Sequence, residues 1–126
     1  MADPRVGGGV VSFTLDGKPQ QLVPSLEACI EISNIAGGIN GAIQRVTQLN
    51  FETICYIIGA GLEVNGRKLN PGQRDKMLPE AVYKTGLIAL MQPCITFCHV
   101  VANGGELPSD DDDEDVKKEG DDAPLG

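Results

Sequence analysis

Three places in this chain carry residue types able to do chemistry. The first is Cys94, Cys98 and His99, since zinc is held by thiolates and imidazoles. On a helix Cys94 and Cys98 stand four apart and share a face, but His99 points about 100° away from Cys98. No CxxC pair occurs anywhere in the chain, so further ligands would have to be imported from distant segments. Core thiols beside a partly exposed His is the better reading. The second place, Gly61-Leu-Glu-Val-Asn-Gly66-Arg67-Lys68, is a near miss to a phosphate-binding loop. That loop needs Lys directly after the second Gly and then Ser or Thr for magnesium, where this chain has Arg67 and Lys68. Gly59-Ala60-Gly61 also fails as a dinucleotide fingerprint, because Val64 stands where the third Gly belongs. The third place, the run Asp110–Asp115, offers carboxylates without a preorganised cage and at most weak cation binding. With one His and no nucleophile motif, acid–base or covalent catalysis has little to stand on. The sequence therefore predicts no catalytic residue, no cofactor and no metal site: a non-enzyme.

Charge narrows the class further. The net charge of −8 over 126 residues comes from 18 acidic and 10 basic residues. Up to Gly105, eight carboxylates balance eight bases; from Glu106 onward ten carboxylates face only Lys117 and Lys118. The acidity belongs to an appendage. A neutral body lacks the basic footprint that releases counterions from a polyanion, so no nucleic-acid partner is expected. The expected division is a flexible N-terminus over residues 1–8, one domain over 9–105, and a disordered acidic tail over 106–126 that cannot bury apolar surface.

A body of this size is a single domain near the lower limit for a self-sufficient core. No Trp, three Phe and two Tyr leave that core to aliphatic side chains. The four cysteines, Cys29, Cys55, Cys94 and Cys98, lie in apolar, helix-like surroundings and read as reduced core residues of a cytosolic protein. The start of the chain has no basic stretch followed by an apolar one, so no signal peptide is expected. Leu87–Ala102 is strongly apolar, but its 16 residues reach only about 24 Å as a helix, short of the roughly 20 residues needed to span a bilayer. A core or partner-facing helix is expected there, and no membrane association.

The elements follow from local signals. Val10–Leu15 is rich in β-formers, Asp16-Gly17 is a favoured two-residue turn, and Gln20–Val23 supplies the second strand of a hairpin. Ser25 reads as the N-cap of a helix to about Ala36, with Leu26, Cys29, Ile30 and Ile35 as its apolar face. A second helix fits Ile39–Leu49. Asn50 caps a third, in which Phe51, Ile54, Cys55, Ile58 and Leu62 form a helical stripe. The competing reading of Thr53–Ile58 is a strand, because it is β-branched and aromatic. Asn65-Gly66 suggests a second small hairpin. Asn70-Pro71 opens a short helix to about Leu78, with Pro79 starting another turn. A last helix, Leu87–Ala102, should kink at Pro93. The fold class is α+β, mainly α: an N-terminal β-hairpin followed by four to five short helices.

That last helix is apolar on nearly every side, so it either sits at the centre of a bundle or binds an apolar partner. A small domain has difficulty covering it, which points to a partner or a homo-oligomer. Leu87, Leu90, Met91, Ile95, Phe97 and Val101 are the candidate client-binding residues; the alternative is that they are simply core.

Gly9-Val-Val-Ser-Phe-Thr-Leu-Asp-Gly17-Lys18 followed by a helix over Leu26–Ile35 resembles the opening of the phage and gene-transfer-agent tail assembly chaperone family. The similarity continues through Ile57-Ile58-Gly59-Ala60-Gly61-Leu62, the Gly66 turn and Gly86-Leu87, over about residues 8–104. Pro24 and Pro93 depart from the family's pattern. The resemblance implies a bacteriophage or prophage virion assembly factor in the bacterial host cytoplasm. It would hold the tape measure protein soluble, help tail tube protein subunits polymerise around it, and leave before the particle is mature. Two other classes fit the same residues: a structural tail or head–tail connector component, or a small acidic adaptor protein.

Overall fold

The computed structural model describes residues 9–64 and 66–107; the expected flexible N-terminus over 1–8 and most of the expected acidic tail lie outside that range. Among the described residues the architecture is α+β and mainly helical, with four short antiparallel strands and five helices.

Strands β1 (Val11–Leu15) and β2 (Lys18–Leu22) form the hairpin. Asp16 and Gly17 both take positive φ, 54° and 79°, as a two-residue turn matched to strand twist requires. This turn pairs Leu15 with Lys18, so β2 starts two residues earlier than its composition suggests. The alternation of an antiparallel ladder then makes Thr14–Pro19 a non-hydrogen-bonded pair. Pro19 therefore lacks its N–H on the side away from β1. There β3 pairs only Gln21 and Leu22, and no ladder bond is lost. On β1 alternate residues Val11, Phe13 and Leu15 face inward.

Helix α1 (Leu26–Ser33) is started by Ser25, whose Oγ accepts from Ala28 N at 3.0 Å. It stops three residues before Ala36, and it buries Ala28 and Ile32. The expected apolar face is corrected: Leu26 and Ile30 are exposed, because the small Ala28 is what lets α1 approach its neighbours closely. Helix α2 (Gly38–Thr47) buries Ala42 and Val46. It ends in a Schellman arrangement, Asn50 N donating to Arg45 O and Leu49 N to Val46 O at 2.9 and 2.8 Å.

Helix α3 (Phe51–Gly61) settles the helix–strand ambiguity for residues 53–58. Asn50 Oδ1 accepts from Thr53 N at 2.8 Å, and Ile54, Ile57, Ile58 and Ala60 are fully buried. Leu62 has left the helix. It begins β3 (Leu62–Val64), which pairs with β2 on one side and with β4 (Arg67–Lys68) on the other. The sheet order is thus β1-β2-β3-β4, two local hairpins joined by a pairing across the three helices between them.

Helix α4 (Pro71–Thr85) opens with a complete capping box between Asn70 and Gln73. It does not stop at Leu78. The helix runs through Pro79 to Thr85, since burial of Leu78 and Val82 on one face outweighs the single hydrogen bond that Pro79 cannot make. At Gly86 the chain turns through 114° into α5 (Leu87–Ala102), which continues across Pro93 and packs against α1, α2, α3, α4 and β1. No single helix among the described residues is long and apolar enough to cross a membrane. Gly9 N donates to Gly105 O at 2.8 Å, joining the two ends of the domain.

Candidate functional site, an apolar cleft between three helices

The groups able to do chemistry are placed where they are quiet. Cys94 and Cys98 are buried in the core, and Cys29 and Cys55 are half-buried against it. Burial pushes the Cys98 thiol up to about 12, and burial together with the nearby Glu52 pushes Cys55 up to about 11. Cys94 is raised by burial first, then by Cys98 and Cys55 beside it. Nucleophilic attack and metal ligation need the thiolate, which these surroundings oppose. His99 is exposed on α5, and no three His, Cys, Asp or Glu among the described residues converge on a point that could hold a metal ion. The Gly61–Lys68 segment runs from helix into strand, the reverse of the strand–loop–helix order that a phosphate-binding loop requires.

The six residues of α5 divide into two groups. Leu90, Phe97 and Val101 are core residues, 1 %, 0 % and 6 % exposed. Leu87, Met91 and Ile95 are half-buried and pack on that core. A client resting on the closed domain cannot touch the first three, so α5 is the bundle's central helix. Its one strongly exposed large apolar side chain is Ile88.

Exposed apolar surface gathers instead on the neighbouring helices. Helix α3 presents Phe51, Cys55 and Tyr56, and α4 faces them with Pro71 and Pro79 over the buried Leu78, across an open cleft of about 560 Å³. Phe51 and Tyr56 are 37 % and 40 % exposed, large enough to offer aromatic surface and rigid enough to do so at little entropic cost. The rim holds Glu31, Glu52 and Asp75 against a single base, Arg74. Arg74 Nη2 lies 3.2 Å from Glu31 Oε1, with both side chains partly shielded from solvent. The guanidinium rests on Gly59, where a Cβ would come within 2.9 Å of Arg74 Nε. That contact and the ion pair hold α1, α3 and α4 in register around the cleft.

From the sequence, Phe51 and Cys55 belong to a helical stripe, Pro71 to a helix start and Pro79 to a turn; none of them, nor Tyr56, is marked there as a binding residue. The available signal was that α3 carries more apolar residues than one buried face of an eleven-residue helix can use. Comparison with protein-family models, with curated proteins and with solved structures returns no match.

Proposed function

We propose that this chain is a non-enzymatic tail assembly chaperone of a phage-type particle, and that its client lies in the cleft between α1, α3 and α4. The observation that carries this reading is the exposure of Phe51 and Tyr56 beside Pro71 and Pro79, on a domain whose core is filled without them. Exposed aromatic surface gathered in one groove marks a docking site for an apolar segment. The order of the motifs from Gly9 to Gly86-Leu87 supports the family, and the family supplies the client: the tape measure protein, with the tail tube protein assembling around it. The work takes place in the bacterial host cytoplasm, and the chaperone is absent from the mature particle.

The test is co-expression with the products of the adjacent genes. Rescue of an otherwise insoluble tape-measure-like protein, lost on Phe51→Asp/Tyr56→Asp, supports the reading. Finding the chain as a stoichiometric component of purified particles contradicts it and makes the protein a structural tail or connector subunit.

A further inference from the structure

A second open cleft lies between the β3–β4 hairpin and α4, about 660 Å³ in volume, and its character is opposite to the first. Val64, Leu69 and Met77 give it an apolar floor, Arg67 and Lys68 stand on its edge, and among the described residues no carboxylate lines it. Outside the cleft, Glu27 of α1 pairs with Lys68, its Oε1 3.4 Å from Lys68 Nζ. That carboxylate is 76 % exposed, and a pair so wet holds its partner weakly.

The described chain leaves the domain close by. Gly105 lies beside Pro24, where a Cβ added to the glycine would stand 3.8 Å from Pro24 Cβ. Glu27, the residue that touches Lys68, lies three positions after Pro24, no more than ~10 Å along even a fully extended chain. Asp110, where six consecutive carboxylates begin, lies three positions after Leu107, a step of up to ~10 Å as well. A tether this short keeps the run at millimolar effective concentration beside the basic edge. The other cleft, with its three carboxylates, repels the same run.

We propose that the acidic run Asp110–Asp115 docks in cis on the basic cleft formed by Arg67, Lys68 and the apolar floor beneath them. The occupant fits by charge, by reach and by point of departure. It takes over from Glu27 as the counter-charge of Lys68 and supplies Arg67 with one. Docking shields this basic cleft edge from foreign polyanions, so the neutral body stays neutral towards nucleic acid even at its basic corner. This inference stands independently of the assembly-chaperone reading.

Zero-length carbodiimide cross-linking of the full chain tests it, read by mass spectrometry. The comparison is between Lys68 and Lys84, each already within 3.4 Å of a carboxylate. Lys84 is the more exposed, 54 % against 28 %, so accessibility alone favours links to Lys84. Docking predicts links from Asp110–Asp115 to Lys68 at least about fivefold above those to Lys84 at low ionic strength, falling at least about threefold near 0.5 M salt, where the screening length is only a few ångströms. The yield stays independent of protein concentration. As a second readout, replacing the six acids by Asn and Gln in the full chain shifts the amide resonances of Arg67, Lys68, Gln73 and Met77. Equal linkage to Lys84, links that form only between molecules as concentration rises, or resonances unmoved by the neutralised run each overturn the proposal.

Discussion

The ring of Phe97 occupies the space where a side chain at Gly61 would stand: a Cβ on Gly61 would lie 2.5 Å from Phe97 Cζ. Gly61 is the last residue of α3 and Phe97 is fully buried in α5, so this contact sets how closely the two central helices cross. It also seats the beginning of β3, because Gly61 O accepts from Val23 N at 2.8 Å. Gly61→Ala should therefore destabilise the domain by about 1–3 kcal/mol through overpacking. Thermal melting of Gly61→Ala, Phe97→Leu and the double variant forms a cycle. The double variant should melt well above the sum of the two single losses, and strict additivity would mean the two positions do not touch.

Leu49 offers a change in the other direction. It takes the left-handed conformation, φ 59°, at the position of the Schellman turn where Gly is usual. It is also 36 % exposed. Leu49→Gly should stabilise the protein by about 0.5–1 kcal/mol by removing that backbone strain. A rise in melting temperature of a few degrees is the expected result.

The buried thiols make stability depend on alkaline pH. Cys55 and Cys98 are raised from 9.0 to about 11 and about 12, so between pH 9 and these values the folded state holds protons that the unfolded chain has lost. Stability from this source is fully present below pH 9 and falls as pH rises through that window. Between pH 8 and pH 10.5 the wild type should lose more thermal stability than a Cys55→Ala/Cys98→Ala variant. Alkylation at pH 8 should label Cys94 and Cys98 only after denaturation.

Loss of the Asn70 capping box should loosen one wall of the cleft. Asn70→Ala removes the acceptor for Gln73 N at 2.9 Å and should cost about 1 kcal/mol. Because Pro71 and Arg74 follow it in the first turn of α4, hydrogen exchange should quicken at the amides of residues 72–75 before it does in α5.

What could be read from the sequence was local. Asp16-Gly17 sets its hairpin by turn chemistry, and Ser25, Asn50 and Asn70 each begin a helix by accepting a backbone N–H three residues on. Distance along the chain hid the rest. The pairing of Gln21 with Glu63 and of Leu22 with Leu62 joins segments some forty residues apart, with nothing in either strand to name its partner. Residue size misled on α1, where Leu26 outweighs Ala28 in hydropathy but Ala28 is the one that fits the interface. At Pro79 a local penalty was overridden by burial on both sides of it. The apolar richness of α5 was visible, but whether it faced the core or a partner depended on five neighbours that only the fold supplies. The cleft was hidden for the same reason: Glu31, Tyr56 and Arg74 come from three helices and form one site only after these pack.

The proposed docking of the client in the α1–α3–α4 cleft rather than on α5 has a direct test. Client capture and circular dichroism are measured together for Phe51→Asp/Tyr56→Asp and for Phe97→Asp, each co-expressed with the tape-measure-like protein. The account predicts that the first variant keeps its helical spectrum and cooperative melt but recovers at least about tenfold less soluble client, while Phe97→Asp fails to fold because it buries an unpaired charge. A folded Phe51→Asp/Tyr56→Asp variant that still captures client at the wild-type level would contradict it.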